Sequence, residues 1–204
     1  MNSHAPTLRE RKQALREQAH ALRNAQPDKD ALSQIICDRF MALPAYQSAQ
    51  TVKFYVDVRS EVRTRQALPK ALASGKKIVV PWCNEHGELE LFHLTSMDEL
   101  TEGMYKILEP TSDLRYRPEK HVRPEELDLV MVPGVAFDHR GARMGHGKGY
   151  YDKLLKRARA DAPLVALAFE CQLFPDIPVG SHDVFMDLII TEKAEYPGLG
   201  RKPR

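Results

Sequence analysis

The chain has 204 residues, of which 43% are hydrophobic and 28% are charged, values typical of a globular domain with a sizeable core. Its 30 basic and 28 acidic residues leave a net charge of +2, which does not indicate a nucleic-acid partner, so any preference for anions must be local. No apolar run approaches the roughly 20 residues of a membrane-spanning helix, so we expect no membrane partner.

Three widely spaced cysteines, Cys37, Cys83 and Cys171, form no C-x-x-C pair. Their odd number and spacing support neither a disulfide framework nor a zinc ribbon, and we interpret each as a small, reduced, buried side chain. The first residues, MNSHAPTLRERKQ, lack the apolar core of a signal peptide. These features together predict a cytoplasmic protein.

Two helices are predicted at the start of the chain, after flexible residues at 1–6. The stretch 8–23 consists of good helix formers with a narrow apolar stripe, and a second helix is predicted from 28 to Pro44. Basic residues occupy the other faces of the first helix, at Arg9, Arg11, Lys12, Arg16 and Arg23. Such a face is usually only solvated, but one or two of its cations could instead reach over a site and bind phosphates.

The first strand is predicted over 51–58, and Glu61 lies just beyond its carboxyl end. Open α/β sheets bind ligands at that edge, although a solvated glutamate is the simpler interpretation of this residue taken alone. A helix is predicted over 64–74. The runs at 77–81 and 89–94 are then predicted to pair as a hairpin.

A strand, a glycine-rich loop and a helix follow one another from 127 to 160. The run 127–132 is apolar and β-branched and is followed by Pro-Gly, which is typical of a buried strand. Glycines then occupy every second position, at Gly145, Gly147 and Gly149. Helical spacing of apolar residues begins after the last of them, over 150–160.

The glycine loop has the composition of an anion-binding site. Glycines let the backbone approach a ligand closely, consecutive amide groups can form a nest for an anion, and the start of a helix adds positive potential. Arg143, His146 and Lys148 add donors, and Asp152 in the first helical turn could hold Mg²⁺ against phosphate oxygens. These features indicate a nucleoside triphosphate site, and the alternative is a flexible surface turn with ordinary basic residues.

Familiar nucleotide-binding fingerprints do not describe this loop. Its spacing is G-x-G-x-G, whereas a dinucleotide loop requires G-x-G-x-x-G. A P-loop would need glycine where Ala142 stands and serine or threonine where Gly149 stands. No nucleophile elbow or H-E-x-x-H zinc motif is present either. The sequence therefore favours phosphoryl transfer that depends on positioning and electrostatics, without a protein nucleophile.

Two further strands are predicted near the end of the chain, at 164–169 and 188–191, and we expect 193–204 to be flexible. Asp183 lies between these strands and could simply belong to the turn that leads into the second one. The alternation of strands and helices predicts one α/β domain over 1–204, with a mostly parallel sheet and helices on both faces. Glu61, the loop 143–149 and Asp183 all follow predicted strands, so they can converge.

The central stretch resembles a known family signature. The residues V-P-G-V-A-F-D-x-x-G-x-R-M-G-H-G-K-G-Y-Y-D, which end at Asp152, are similar to the signature of the 5-formyltetrahydrofolate cyclo-ligases, also called methenyltetrahydrofolate synthetases. The spacing from Pro133 onwards matches without a gap. The resemblance implies a three-layer α/β/α fold, like that of the phosphosugar isomerases and CoA transferases.

The resemblance also implies a reaction. ATP would phosphorylate the N5-formyl oxygen of 5-formyltetrahydrofolate, with Mg²⁺ as cofactor, to give an N5-iminium phosphate. N10 would attack this intermediate and phosphate would leave, which closes the ring to 5,10-methenyltetrahydrofolate. The implied partners are therefore small molecules, namely ATP, 5-formyltetrahydrofolate and its polyglutamates, bound by a monomer.

The residue roles carried over from the resemblance fall on matching positions. The implied ATP contacts are Lys12, Arg16, Arg143, Met144, Gly145, His146, Gly147, Lys148, Gly149, Tyr150 and Tyr151. The implied folate contacts are Val56, Glu61, His146, Gly147, Lys148, Gly149 and Tyr150. The implied magnesium ligands are Asp152 and Asp183, and the implied catalytic residues are Lys148, Arg143 and Glu61.

Several of these assignments have alternatives. The N-terminal match, K-x-x-L-R from Lys12, could shift so that Arg9 or Arg11 takes the phosphate role. The two tyrosines after the loop could line the site or only anchor the helix. Relatives often carry arginine or another residue where this chain has His146, so activity could fall as pH rises through the pKa of the imidazole. In the family's G-x-x-x-I-x-E-P segment, Tyr105 would suit the face of a pterin.

Two other functions fit the same loop. A phosphosugar isomerase or CoA-transferase-like protein would use it for a sugar phosphate and would act without ATP or Mg²⁺. A non-catalytic regulator would bind ATP without turnover.

Overall fold

A seven-stranded sheet forms the centre of the computed structural model, which describes residues 6–103, 107–181 and 183–201. The helices are α1 (Leu8–Ala25), α2 (Lys29–Ala42), α3 (Pro44–Ser48), α4 (Leu68–Leu72) and α5 (Tyr150–Arg157). The strands are β1 (Thr51–Lys53), β2 (Lys77–Cys83), β3 (Leu89–Leu94), β4 (Leu100–Glu102), β5 (Leu108–Pro110), β6 (Leu129–Val132), β7 (Ala136–Phe137), β8 (Arg143–Met144), β9 (Leu164–Leu167), β10 (Leu188–Ile190) and β11 (Glu195–Pro197).

The sheet has the order β11-β10-β9-β6-β1-β2-β3. Its five central strands are parallel, and an antiparallel strand closes each edge, β11 on β10 and β3 on β2. This arrangement confirms the predicted mostly parallel sheet and the predicted hairpin between β2 and β3. Two small sheets, β4 with β5 and β7 with β8, lie outside it.

Helices cover both faces of the sheet because successive strand residues point to opposite sides. Ile78 and Val80 of β2 pack into a core that contains residues of α2, α3 and α4. Val79 between them packs into a second core with Leu154 and Leu155 of α5. The three-layer α/β/α fold expected from the sequence is therefore confirmed.

The first helix belongs to neither of these layers. Ala19 of α1 is fully buried and packs in a third core with Ala136 of β7, Met144 of β8 and the segment between these strands. The helix begins with a capping box in which the Thr7 hydroxyl accepts from the amide of Glu10. Because it lies on the β7–β8 sheet, α1 is held against the loop that follows β8.

Several predicted elements differ from the structure. The strand expected over 51–58 pairs only at Thr51–Lys53, since the chain then turns away towards Glu61. The helix expected over 64–74 is instead a 3₁₀ turn at Thr64–Gln66 followed by α4. Pro69 has no amide proton to donate to the preceding turn, so one continuous helix cannot form across it. Pro44 begins a further short helix, α3, after α2 has ended.

The predictions for the loop start, the C-terminal tail and one cysteine are also wrong. Arg143–Met144, expected within the glycine loop, pair with β7 as a buried strand. Within the tail expected to be flexible, Glu195–Pro197 pairs with β10, and the amide of Leu199 donates to the carbonyl of Arg140 at 2.7 Å. Cys83 is exposed at the end of β2, while Cys37 is buried and Cys171 is half-buried, and all three thiols are free.

No helix in the described part of the chain combines the length and the apolar character needed to cross a bilayer.

Two glycines with positive φ provide a matched test of the contact between the tail and the turn before β8. A Cβ added to Gly141 (φ +87°) would lie 3.0 Å from the Cα of Gly198 in the tail and 2.4 Å from the carbonyl oxygen of Met186, whereas one added to Gly75 (φ +77°) would meet nothing within 4 Å. We predict that Gly75→Ala costs about 1 kcal/mol of unfolding free energy through backbone strain alone. Gly141→Ala should cost more than about 3 kcal/mol, because the clash adds to the strain.

Urea unfolding monitored by circular dichroism measures both values. Equal destabilisation by the two substitutions would contradict the close packing of the tail.

Candidate functional site

The candidate site lies at the carboxyl edge of the parallel strands. β1, β6 and β9 are neighbours in the sheet, and the segments that leave their carboxyl ends carry Glu61, the glycine loop and Asp183, respectively. Loops at this edge of a parallel sheet surround the usual ligand crevice. The topology thus brings together three segments that the sequence predicts to converge.

A cleft of about 680 Å³ separates α1 from the glycine loop. The Arg16 guanidinium crosses between the two elements, with Nε donating to the carbonyl of Gly145 at 3.1 Å. The lining residues are Leu8, Arg9, Lys12, Gln13, Arg16, His146 and Gly147. Both cations of the predicted K-x-x-L-R segment therefore face the predicted glycine loop. Arg9, one of the two alternatives to that register, also lines the cleft.

The glycine loop is exposed and depends on its glycines for its backbone path. Gly147 has φ +91° and Gly149 has φ +71°, which residues with a Cβ rarely adopt. At Gly145 an added Cβ would lie 2.9 Å from Nη1 of Arg143. Within the described residues, the amide groups of 145–148 have no backbone acceptor. An open run of such donors is suited to an anionic ligand.

Lys148 at the tip of the loop is exposed, and its ammonium group lies 5.7 Å from the centroid of the Tyr150 ring. Among the residues that the structure describes, it forms no ion pair. Within the described structure, no carboxylate therefore neutralises its charge.

Arg143 is directed inwards from β8 and only 4% of its side chain is exposed. Nη2 donates to Oδ1 of Asp152 at 2.8 Å and Nη1 donates to the carbonyl of Pro133 at 3.3 Å. Its buried Nε has no hydrogen-bond partner among the described residues. The predicted catalytic arginine and the predicted first metal ligand thus form an ion pair at the start of α5.

Glu61 is buried, with 6% of the residue exposed, so the interpretation as a solvated glutamate is wrong. Oε2 accepts from the amide of Val58 at 3.1 Å, and Oε1 lies 3.6 Å from Nε2 of His146. The His146 ring in turn stacks on His20 of α1, with ring centroids 5.4 Å apart. Glu61 therefore lies beneath the glycine loop, and Val56, the other predicted folate contact, is also buried.

Asp183, the predicted second metal ligand, is bonded to α1. Its Oδ2 accepts from the Lys12 ammonium at 2.6 Å and from the amide of Gly180 at 2.7 Å. In the described ranges, 6–103, 107–181 and 183–201, no group of three or more histidine, cysteine, aspartate or glutamate residues could hold a metal ion. Tyr105, the predicted pterin contact, lies outside the described residues.

Tyr151 is an anchor rather than an open lining residue. It packs against the core beneath α5, its hydroxyl accepts from the Lys53 ammonium at 2.9 Å, and the Arg143 guanidinium lies 5.7 Å from its ring centroid. Burial, followed by the charge of Glu61, raises the pKa of the Tyr151 hydroxyl well above its ordinary value, so it keeps its proton. Tyr150 is half-buried at the rim.

Two buried cations at the site were missed by the sequence analysis. Arg23, predicted on a solvated face, is 1% exposed and donates to the hydroxyl of Ser60 at 3.1 Å and to the carbonyl of Gly134 at 3.1 Å. Lys53 is completely buried in β1. Arg23 lies one helical turn after Ala19 on the apolar stripe of α1, and Lys53 interrupts an apolar strand. In both cases the residue pattern indicated a buried position.

The sequence matches the model of the 5-formyltetrahydrofolate cyclo-ligase family over residues 8–192. It is similar to the 5-formyltetrahydrofolate cyclo-ligase of Mus musculus, with 30% identity over 201 residues that cover 92% of this chain and 97% of the mouse protein. The Saccharomyces cerevisiae protein of that name is 33% identical over 199 residues, which cover 88% and 94%. The NMR structure of Aquifex aeolicus 5,10-methenyltetrahydrofolate synthetase has a TM-score of 0.79 and 31% identity, covering 95% of this chain and 96% of that one.

The histidine pair at the cleft predicts a pH dependence of stability. Burial, followed by repulsion from Arg23 and His146, lowers the pKa of His20 in the folded protein. As pH falls below the ordinary histidine pKa of about 6.5, the unfolded chain binds a proton there before the folded chain does, so stability falls towards acid. When pH is lowered from about 7.5 to 5.5, the melting temperature of His20→Gln should therefore fall less than that of the wild type.

The exposed His86 supplies the control, since His86→Gln should follow the wild-type curve. Identical pH profiles for His20→Gln and wild type would show that His20 carries no such linkage.

Proposed function

Because this chain belongs to the 5-formyltetrahydrofolate cyclo-ligase family, we propose that it converts 5-formyltetrahydrofolate and ATP to 5,10-methenyltetrahydrofolate, ADP and phosphate with the help of Mg²⁺. Family membership makes it a cyclo-ligase. What we propose in addition is the use of ATP and Mg²⁺ and the roles of individual residues. The observation that carries them is the cleft in which Lys12 and Arg16 of α1 face His146 and Gly147 of the glycine loop.

The proposed chemistry has two steps. The formyl oxygen attacks the γ-phosphorus and forms a new P–O bond, while the bond from that phosphorus to the β–γ bridging oxygen breaks. ADP departs, and the folate becomes an N5-iminium phosphate. N10 then attacks the formyl carbon and loses its proton, and phosphate departs with the former formyl oxygen. Phosphorylation is needed because a formyl oxygen is a poor leaving group and phosphate is a good one. No protein nucleophile takes part, so rate depends on alignment and charge stabilisation.

We assign the triphosphate to the cleft between α1 and the loop. Lys12, Arg16 and Lys148 would contribute positive charge, and the open amides of 145–148 would contribute hydrogen bonds. Met144 and Gly149 would shape the two ends of the loop. Such an arrangement neutralises charge on the phosphoryl group as it moves, which is the main catalytic requirement of phosphoryl transfer.

We assign the pterin end of the folate to the wall formed by Glu61 and Val56, with Tyr150 at the rim. Glu61 is buried and accepts a hydrogen bond from the amide of Val58, so its carboxylate has few available orientations. A fixed carboxylate can align a ring that carries N–H donors. Arg143, buried beside the start of α5, would add positive potential from below.

We assign a magnesium ion, shared with the nucleotide, to the carboxylates of Asp152 and Asp183. Mg²⁺ in phosphate-transferring enzymes is held by one or two carboxylates together with phosphate oxygens and water, so no all-protein cage is required. Each carboxylate is partly exposed and is neutralised by a predicted phosphate-binding cation, Arg143 or Lys12. The bound ion would screen charge between the phosphates, and the two cations would then be free to contact them.

The remaining assignments rest on the family resemblance. We propose a single domain that acts as a cytoplasmic monomer on ATP, 5-formyltetrahydrofolate and its polyglutamates, without a nucleic-acid or membrane partner. Light scattering during size-exclusion chromatography should give the mass of one chain, and a dimer mass would refute the monomer. The family match favours the ligase over both an isomerase or transferase and a non-catalytic regulator.

Lys148 provides the first functional prediction. Lys148→Ala should lower kcat by at least about 100-fold, because it removes a charge that acts on the transferred phosphoryl group. The fold should persist, since the side chain is exposed. Methenyltetrahydrofolate absorbance in a mixture of protein, ATP, Mg²⁺ and 5-formyltetrahydrofolate measures the rate.

Lys153→Ala is the matched control, since it removes an exposed lysine from the nearby helix α5. Full activity of Lys148→Ala would remove Lys148 from the proposed role, and no ATP-dependent product from the wild type would refute the proposed function itself.

Asp152 provides the second functional prediction. Asp152→Asn should raise the Mg²⁺ concentration needed for half-maximal rate by about tenfold or more, since a neutral amide is a poorer magnesium ligand. The measurement is a Mg²⁺ titration at saturating ATP and folate. Asp161→Asn, at an exposed carboxylate after α5, should leave the titration unchanged. An unchanged titration for Asp152→Asn would count against a metal ligand at this position.

A further inference from the structure

A lysine lies inside the central sheet where an apolar residue is expected. Val52 and Phe54 on either side of Lys53 point into the core with α2, α3 and α4. Alternation along the strand therefore directs Lys53 to the opposite face, beneath α5. Its relative exposure is 0%, and it is among the largest fully buried side chains of the described structure.

The ammonium group of Lys53 is anchored at two points. Nζ donates to the carbonyl of Met131 in β6 at 3.0 Å and to the hydroxyl of Tyr151 in α5 at 2.9 Å. It also lies 4.3 Å from the centroid of the Tyr151 ring. Lys53 thus connects the sheet to the first turn of α5, which directly follows the glycine loop.

Tyr151 is held between two cations. Lys53 contacts its ring and hydroxyl, and the Arg143 guanidinium lies 5.7 Å from the ring centroid. Arg143 in turn pairs with Asp152, the next residue of the same helical turn. The position of Tyr151 therefore sets the position of the helix start, of Asp152 and of the end of the loop at Gly149.

This arrangement is costly for the fold. A buried ammonium loses its hydration, and only part of this loss is recovered through two hydrogen bonds and an aromatic ring. Burial, followed by repulsion from Arg143, lowers the pKa of Lys53 well below its ordinary value, while Glu61 acts in the opposite direction. A methionine would fill a similar volume without that cost, so packing alone gives no reason for lysine here.

We propose that Lys53 is a positioning residue of the ligase reaction, which holds the Tyr151 hydroxyl and thereby fixes the start of α5 and the end of the glycine loop beneath the phosphate site. The inference rests on the proposed function, since it concerns the alignment of the groups assigned to ATP and Mg²⁺. Lys53 itself contacts neither substrate, and it acts through Tyr151.

A double-mutant cycle tests the coupling between the two side chains. Lys53→Met, Tyr151→Phe and the double variant are compared with the wild type for kcat, for KM of ATP and for melting temperature. Each single substitution should lower kcat/KM for ATP by about 10- to 100-fold, because displaced groups align poorly. The kcat/KM of the double variant should lie within about threefold of that of the less active single variant, because both substitutions break the same contact between Lys53 and Tyr151.

Lys76→Met is the matched control. The Lys76 ammonium also donates to a backbone carbonyl, that of Ala49 at 2.7 Å, and lies 5.2 Å from the ring centroid of Tyr46. Lys76 directly precedes β2, however, and these contacts involve neither the glycine loop nor α5. Lys76→Met should leave kcat and KM unchanged. Lys53→Met should melt within a few degrees of the wild type or above it, so that activity is lost without a matching loss of stability.

The outcomes separate the two proposals. A wild-type protein without ATP-dependent turnover would overturn the proposed function before Lys53 is considered. With an active wild type, multiplicative losses in the cycle, or full activity of Lys53→Met, would overturn the positioning role. If Lys53→Met does not fold, Tyr151→Phe decides alone: wild-type activity would overturn the proposal, and a loss of about tenfold or more with an intact fold would support it.

Discussion

The contact between α1 and the glycine loop is the feature on which the site depends. The Arg16 guanidinium donates to the carbonyl of Gly145, although the two residues are 129 positions apart in sequence. Two further bonds hold the same helix, from Lys12 to Asp183 and from Arg23 to the carbonyl of Gly134. Without these contacts and the packing of α1 on the β7–β8 sheet, the cations of the helix would face solvent and the loop would lack its opposite wall.

The site also concentrates the buried charge of the molecule. Arg23, Lys53, Glu61 and Arg143 are all buried, and each makes contacts with groups on other segments. Buried charges destabilise a fold unless they are paired, and functional sites are where proteins most often accept that cost. The charges here join β1, β6, α1 and α5, so they also fix the relative positions of the elements that carry the proposed ligand contacts.

Much of the architecture was predictable because local patterns decide it. The apolar run before Pro133 and the spaced glycines after it indicated a strand and an anion-binding loop, and the structure places Lys12 and Arg16 opposite that loop. Predictions were wrong where distant partners decide the structure. The β7–β8 pair and the strand Glu195–Pro197 are each only two or three residues long and depend on contacts that no local pattern records.

The buried cations illustrate the same limit. A lysine in a strand and an arginine on a basic helix read as solvated residues when only their own segments are considered. Lys53 is buried because α5 covers its face of the sheet, and Arg23 is buried because Ser60 and Gly134 supply acceptors. The family resemblance predicted the roles of the loop residues, but it did not indicate how the side chains beneath the loop are connected.

A crystal structure with Mg²⁺ and a non-hydrolysable ATP analogue would show directly where the nucleotide binds. We expect the triphosphate between Lys12 and Arg16 on one side and the amide groups of 145–148 on the other, with the metal beside Asp152. A nucleotide bound elsewhere on the protein, with this cleft open to solvent, would contradict it.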